Sequence, residues 1–278
     1  MAVVLITGCS RGIGMLTALQ FSRKGDTVFA SMRDISISGD IEKAAQDEGL
    51  AIEVVQLDVT DDASVRAAVA KVLDSAGRTD VLVNNAGFGM HTPIEDADLK
   101  EARLMFETNF FGPLRLIQAV LPAMREQRSG VIVNVSSLSG VIAEPYNGVY
   151  AASKHALEAL SESLYFECHP FGIRVAVIEP GGHDTRGYWR SRKERRFAED
   201  SPHREYGERF MEAVRRLPGA EEPGDPQEVA EAIYSAVYTD EPKLRYLVGK
   251  EADIARLRRR LSDEEFEQAM RTALDIWD

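Results

Sequence analysis

Val3-Val4-Leu5-Ile6-Thr7-Gly8-Cys9-Ser10-Arg11-Gly12-Ile13-Gly14 decides the fold: an apolar run, a glycine-studded turn, then the opening of a helical pattern. Glycines permit a tight turn and close approach of the backbone to a ligand, while unpaired N–H groups and the helix dipole favour a pyrophosphate. Three glycines mean little by themselves, because turns and tight packing use them too. Their place between a strand and a helix makes Gly8, Ser10, Arg11, Gly12, Ile13 and Gly14 a dinucleotide cradle.

Outward from this turn, short apolar runs alternate with longer helical patterns. Strands are expected near 3–7, 27–32, 52–57, 81–84, 131–136 and 174–178. Such β-α alternation argues for a parallel sheet, and near-continuous Val, Ile and Leu within the strands means that helices cover both faces. The expected fold class is therefore α/β: a Rossmann-type doubly wound parallel sheet in a single domain, with a substrate lid and a C-terminal helical tail. Residues 1–240 form the nucleotide-binding catalytic part, with the lid at about 183–223 where regular patterning lapses. Residues 241–278 add a last strand and a helical extension. Asp225-Pro226-Gln227-Glu228 reads as one helix start, and Ser262 with Glu265 as another.

In doubly wound sheets ligands bind outside the carboxyl ends of the strands. The second strand ends Ser31-Met32-Arg33-Asp34. Arg33 and Arg11 supply two cations for a ribose 2′-phosphate, and each charge-assisted bond contributes on the order of 1.5–3 kcal/mol. That favours NADP over NAD. The alternative is that Arg33 is a solvated strand-end charge and Asp34 takes the ribose. Asp58, followed by Val59 after the third strand, is expected at the adenine.

Tyr150-Ala-Ala-Ser-Lys154 opens a long helical pattern, so both functional side chains share a face. The same spacing at Tyr246-Leu-Val-Gly-Lys250 falls among strand-like residues and a glycine, and is read as coincidence. Reducing a carbonyl by hydride requires a proton donor at the incipient alkoxide, and a phenol with a pKa of about 10 needs tuning to serve the reverse reaction. An ammonium about 4 Å away supplies up to roughly 4 kcal/mol at an effective dielectric of 20, an upper bound of about three pKa units. Ser137, at the end of the fifth strand, is placed to hold the substrate oxygen. Asn109 is placed to anchor a water that relays protons from Lys154.

Together these residues carry a family resemblance. Over roughly residues 3–236 the sequence resembles the short-chain dehydrogenases/reductases: in the turn from Thr7 to Gly14, in Asn84-Asn85-Ala86-Gly87, in Asn109, Ser137, Tyr150 and Lys154, and in Pro180-Gly181 with Thr185. The resemblance implies Ser-Tyr-Lys catalysis assisted by Asn109, with Lys154 and Tyr150 also meeting the nicotinamide ribose. It implies Asn85, Ala86 and Gly87 along the cofactor cleft, and Pro180, Gly181 and Thr185 around the carboxamide. It selects Ser137 over Ser136. The stretch from Ser137 through Lys154-His-Ala-Leu-Glu158 looks like the hydroxysteroid and retinol dehydrogenase branch. The charged helical tail departs from the commonest members and puts their usual tetramer in doubt; a homodimer through helices near 99–127 and 150–170 is expected.

The expected substrate is a small carbonyl or alcohol compound, ring-bearing or hydrophobic, contacted by Ser137, Phe88, His91, Tyr146, His183 and Trp189. Six basic residues between Arg186 and Arg196 face one acid, Glu194, and read as an anion-recognising segment or a solvated face. The formal net charge of -12 makes nucleic acid a poor partner. No apolar run reaches the roughly 18 residues of a membrane span, and no secretory signal opens the sequence. The two cysteines, Cys9 and Cys168, lack both a disulfide framework and metal-ligand spacing. A cytoplasmic location is expected. A sensor that binds NADP without turnover needs no intact catalytic set, so the ordered presence of Asn109, Ser137, Tyr150 and Lys154 argues for chemistry.

Overall fold

The computed structural model describes residues 1–183, 197, 200–217 and 222–275. Seven strands form one sheet: β1 (Val3–Ile6), β2 (Thr27–Met32), β3 (Ile52–Gln56), β4 (Val81–Asn84), β5 (Gly130–Val135), β6 (Ile173–Pro180) and β7 (Arg245–Val248). Their order is β3-β2-β1-β4-β5-β6-β7, and every neighbouring pair is parallel. The chain leaves β1 toward β2 and β3 on one side and crosses to β4 on the other. The reversal opens a crevice beyond the carboxyl end of β1.

Helices fill the crossovers: α1 (Gly12–Arg23), α2 (Gly39–Asp47), α3 (Asp62–Ala76), α4 (Leu99–Phe106), α5 (Gly112–Gln127) and α6 (Gly148–Cys168). After β6 come α7 (Arg204–Arg215) and α8 (Pro226–Tyr238), and after β7 α9 (Ala252–Arg258) and α10 (Asp263–Leu274). Strand residues alternate between two apolar layers. Val4 and Ile6 pack with Phe21 of α1 and Val229 and Ile233 of α8. Val3 and Leu5 pack with Val65 of α3, Leu116 of α5 and Leu164 of α6. This double burial is why the strands read as continuous apolar runs. Among the described residues no helix is long and apolar enough to cross a membrane.

The expected helix starts are present. Asp225 accepts from the N–H of Gln227, with Pro226 in the first turn of α8. Ser262 and Glu265 form a reciprocal capping box on α10. Tyr246 of the second Tyr-x-x-x-Lys copy lies in β7, and Gly249 follows at φ 109, so those two side chains do not share a helical face. Two differences stand out. Strand ends shift by a residue or two; Thr7 leaves the ladder of β1 but still donates its N–H to the Val83 carbonyl. The stretch expected to be irregular contains α7, because Gly207, Phe210 and Ala213 bury a narrow stripe at three-residue spacing beneath a mostly charged surface.

Candidate active site

At the glycine turn the backbone itself makes the site. Gly8 adopts φ +75, and a Cβ there would lie 2.9 Å from the Ala86 Cα, so both conformation and close approach demand glycine. Gly14 plays a packing part instead: a side chain there would strike the Gly8 carbonyl and the Asn85 amide. Thr7 Oγ1 accepts from the N–H groups of Asn85 and Ala86 at 3.0 and 2.9 Å, and Asn85 Nδ2 donates to the Thr7 carbonyl at 2.8 Å. These bonds lock the turn to the end of β4. The start of α1 has no side-chain cap and no acid in its first turn. By contrast, Asp61 caps α3 and Asp98 caps α4. The first N–H groups of α1 are thus left for an external acceptor, which fits a pyrophosphate.

At the adenosine end, Arg33 is exposed just beyond β2. Asp34 Oδ1 accepts from Ser36 N at 2.9 Å and from Ser36 Oγ at 2.6 Å, which makes this carboxylate the cap of a short 3₁₀ turn. Asp58 Oδ1 likewise accepts from the N–H and hydroxyl of Thr60. Val59 is buried beneath Gly112, where a Cβ would lie 2.9 Å from its side chain.

The catalytic candidates converge from three elements. Tyr150 and Lys154 sit on one face of α6, 7% and 5% exposed, with Lys154 Nζ 5.7 Å from the centre of the tyrosine ring. Nζ donates to the Val135 carbonyl at the end of β5, 2.8 Å away. Burial lowers the Lys154 pKa to about 8, and the negative charge of Glu158 opposes that fall. Ser137 is half-buried directly after β5, and its Oγ accepts from Ser139 N at 3.1 Å. Neighbouring Ser136 turns its hydroxyl into the interior.

Asn109 is fully buried in a widened π turn, Glu107–Phe111, between α4 and α5. Such turns recur at functional sites. Its Oδ1 accepts from Phe88 N at 3.1 Å, and its Nδ2 donates to the Phe88 carbonyl and to Ser153 Oγ. Ser153 in turn donates to the Tyr150 carbonyl at 2.7 Å. The Asn109 amide is therefore engaged with protein atoms and braces the Phe88 loop against α6.

A cleft of about 1290 Å³ joins these parts. Gly8, Ser10, Arg11, Gly12, Ile13, Asn85, Ala86 and Gly87 line one end, and Ser137, Tyr150, Pro180 and Gly181 the middle. Phe88, His91, Tyr146 and His183 line it too. Gly14, Asn109 and Lys154 stand behind its walls, and Arg33, Asp58 and Val59 lie beyond its lining. His183 is buried at the β6 exit, bridged to Gly224, with Nδ1 3.1 Å from the Gly181 carbonyl, so it pins this bend as well as lining the cleft. Tyr146 adopts φ 63, rare for an aromatic residue, and is held there by edge contacts to Phe197, His203 and Phe210. Thr185, Trp189 and the basic segment 186–196 lie outside the described residues.

Much of the far wall is absent from the sequence reading. Phe210, Met211 and Val214 of α7 and Phe266, Met270 and Leu274 of α10 face the cleft, so the C-terminal tail is part of the pocket. Glu251, between β7 and α9, lays its carboxylate over Gly181 and Gly182. The start of α10 at Ser262 is legible in the sequence; that its apolar side meets the cleft depends on tertiary packing.

Comparison with known proteins agrees with this architecture. The short chain dehydrogenase family model matches residues 2–196. The 3-ketodihydrosphingosine reductase of Bacteroides thetaiotaomicron is 36% identical over 248 residues, which are 89% of this chain and 87% of that protein. The 17-beta-hydroxysteroid dehydrogenase type 1 of Homo sapiens is 36% identical over 269 residues, covering 94% of this chain and 81% of the relative. A solved short-chain dehydrogenase structure from Streptomyces avermitilis superposes with a TM-score of 0.79 at 36% identity, covering 98% of this chain and 97% of that one.

Proposed function

The chain belongs to the short chain dehydrogenase family, in its hydroxysteroid and retinol dehydrogenase branch, and from that premise we propose that it interconverts a ketone or aldehyde and an alcohol using NADP(H). One observation carries the proposal: an uncapped, glycine-built cradle and the Ser137–Tyr150 pair line the same cleft, with the Lys154 ammonium buried directly behind the tyrosine.

When bound, a nicotinamide cofactor would supply hydride to the carbonyl carbon, or accept it from the alcohol. The residues of the chain do the rest. Gly8, Ser10, Arg11, Gly12 and Ile13 would hold its pyrophosphate at the start of α1, with Asn85, Ala86, Gly87, Pro180 and Gly181 lining the remainder. Tyr150 gives its phenolic proton to the forming alkoxide and takes it back in the reverse direction. Lys154 stabilises the phenolate by its charge, Ser137 holds the substrate oxygen, and Asn109 keeps the Phe88 loop and α6 in register. NADP is favoured over NAD because Arg33 and Arg11 carry positive charge toward the ribose end, while Asp34 is already occupied as a cap.

The guest is a hydrophobic or ring-bearing carbonyl compound. Pockets for one small molecule usually span about 300–1,000 Å³. A cleft of about 1290 Å³ with an apolar far wall accommodates a cofactor and a sizeable apolar partner together. We also propose a homodimer, supported by the exposed Leu104, Phe111 and Phe166 on and beside α4 to α6.

The test is oxidation of NADPH, with NADH in parallel, across ketones and aldehydes running from small aliphatics through keto acids to ring systems and long chains. Turnover with NADPH and the larger apolar carbonyls is expected. Tight NADPH binding with no turnover across the panel would overturn the reductase reading in favour of a cofactor-binding sensor.

A further inference from the structure

An ammonium that is 5% exposed and bonded to a neutral carbonyl must be balanced by charge or lose its proton. Around Lys154 the described residues on the cleft side offer none. Tyr150 and Ser153 share its helix, Asn109 comes from the π turn, and Gly87 follows β4, where a Cβ would lie 3.6 Å from Nζ.

Charge comes from behind, one turn further along α6. Glu158 is 6% exposed, and four-residue spacing puts it on the face of Lys154. Its Oε2 accepts from Arg245 Nε of β7 at 3.0 Å, while Oε1 has no hydrogen-bond partner. Arg245 also reaches Glu162 at 2.5 Å and Glu179 at 3.5 Å. Glu179, fully buried on β6 immediately before Pro180, also pairs with Arg259 beyond α9. Lys154, Arg245 and Arg259 thus match Glu158, Glu162 and Glu179 in charge. Gly140 leaves the space this arrangement needs: a Cβ there would lie 2.7 Å from Ser136 Oγ and 3.0 Å from Glu158 Cγ.

We propose that Glu158 is a positioning residue of the catalytic group, its carboxylate fixed from behind by Arg245 so that the buried Lys154 stays charged beside Tyr150. The inference rests on the Tyr150–Lys154 reading above. It gives the Arg245 ion pair a purpose beyond folding, since it holds in place the carboxylate that sustains the lysine.

Glu158→Gln keeps the shape and removes the charge. An opposite charge within about 4–6 Å shifts a pKa by roughly one to three units. The alkaline fall of kcat/KM with NADPH, expected as the coupled Tyr150–Lys154 pair loses a proton, should therefore begin about one pH unit lower in Glu158→Gln. Glu158→Asp should restore it in part. Equal loss at every pH, with the alkaline limb unmoved, would mean that Glu158 only supports the helix, and would overturn the proposal.

A second readout needs no turnover. A lysine whose folded pKa lies below its unfolded value of about 10.4 binds fewer protons in the fold, so its contribution to stability rises with pH between those two values. That rise should start at lower pH in Glu158→Gln, and the difference should vanish when both proteins also carry Lys154→Met. An unchanged onset overturns the pairing. A shifted onset in a protein that reduces no carbonyl would keep the pairing and reject the enzymatic reading.

Discussion

The two ends of the cleft are built by opposite means. At the glycine turn the surface is backbone, contributed largely by one contiguous stretch and stitched to β4 by Thr7 and Asn85. At the far end it is side chain, contributed by α7 and α10, whose own buried cluster amounts to Phe210, Ala213 and Leu274 with partly buried neighbours. Backbone geometry suits a ligand part that never varies, such as a pyrophosphate. A wall of Phe, Met, Val and Leu side chains on helices outside the sheet can be repacked without touching the cradle. On the proposed reading, cofactor and substrate recognition are therefore separable, with Tyr150 where the two meet.

The sharpest test of this division acts at the junction. Tyr150→Phe should leave NADPH affinity nearly unchanged and lower turnover by at least about a hundredfold, the usual scale of general acid–base help; fluorescence titration and steady-state rates measure the two separately. Next comes stability. Leu82→Ala, in the fully buried centre of the sheet, should cost about 2–5 kcal/mol in denaturant unfolding, whereas Leu274→Ala should cost less, because its site on the outer helices can relax. Equal costs would break the contrast between the two regions. At the cradle, Arg33→Asp should move the NADPH to NADH ratio of kcat/KM toward NADH by roughly tenfold, the value of one charge-assisted contact. An unmoved ratio would leave Arg33 as a solvated charge. The smallest effect belongs to the wall. Phe210→Ala should raise KM severalfold for large apolar carbonyls and leave small ones unaffected; equal loss for both would tie the wall to the catalytic group.

Cys9 belongs to the cradle by sequence but not by chemistry. It is fully buried, burial pushes its thiol up to about 12, and its Sγ faces the Ile6 carbonyl. Native protein at pH 8 should therefore resist alkylation at Cys9, with mass spectrometry finding label there only after unfolding.

The regions also differ in how far the sequence could be read. Strands, the glycine turn and the caps at Asp225 and Ser262 depend on neighbours within a few residues, so local pattern reveals them. Tyr150 with Lys154 was readable because a helix converts four-residue spacing into proximity. The buried chain Asn84–Asn134–Ser161 was not, since it joins β4, β5 and α6 across the sheet. The brace from Asn109 through Ser153 to Tyr150 requires the π turn to be known first. Glu251 over Gly181 and the apolar side of α10 arise only when the tail folds back over the sheet edge. In α7 charged residues outnumber the buried ones and hide a stripe only three residues wide.

Hydride delivery to a carbonyl that Tyr150 protonates can be followed by isotope transfer. NADPH deuterated at C4 on each face in turn would be incubated with an apolar ketone and the wild-type protein, and the alcohol product analysed by mass spectrometry. One deuterium should appear on the carbinol carbon from one face only, and product should form at least about a hundredfold more slowly with Tyr150→Phe. Bound NADPH with no labelled alcohol from any carbonyl, or undiminished label transfer in Tyr150→Phe, would contradict this chemistry.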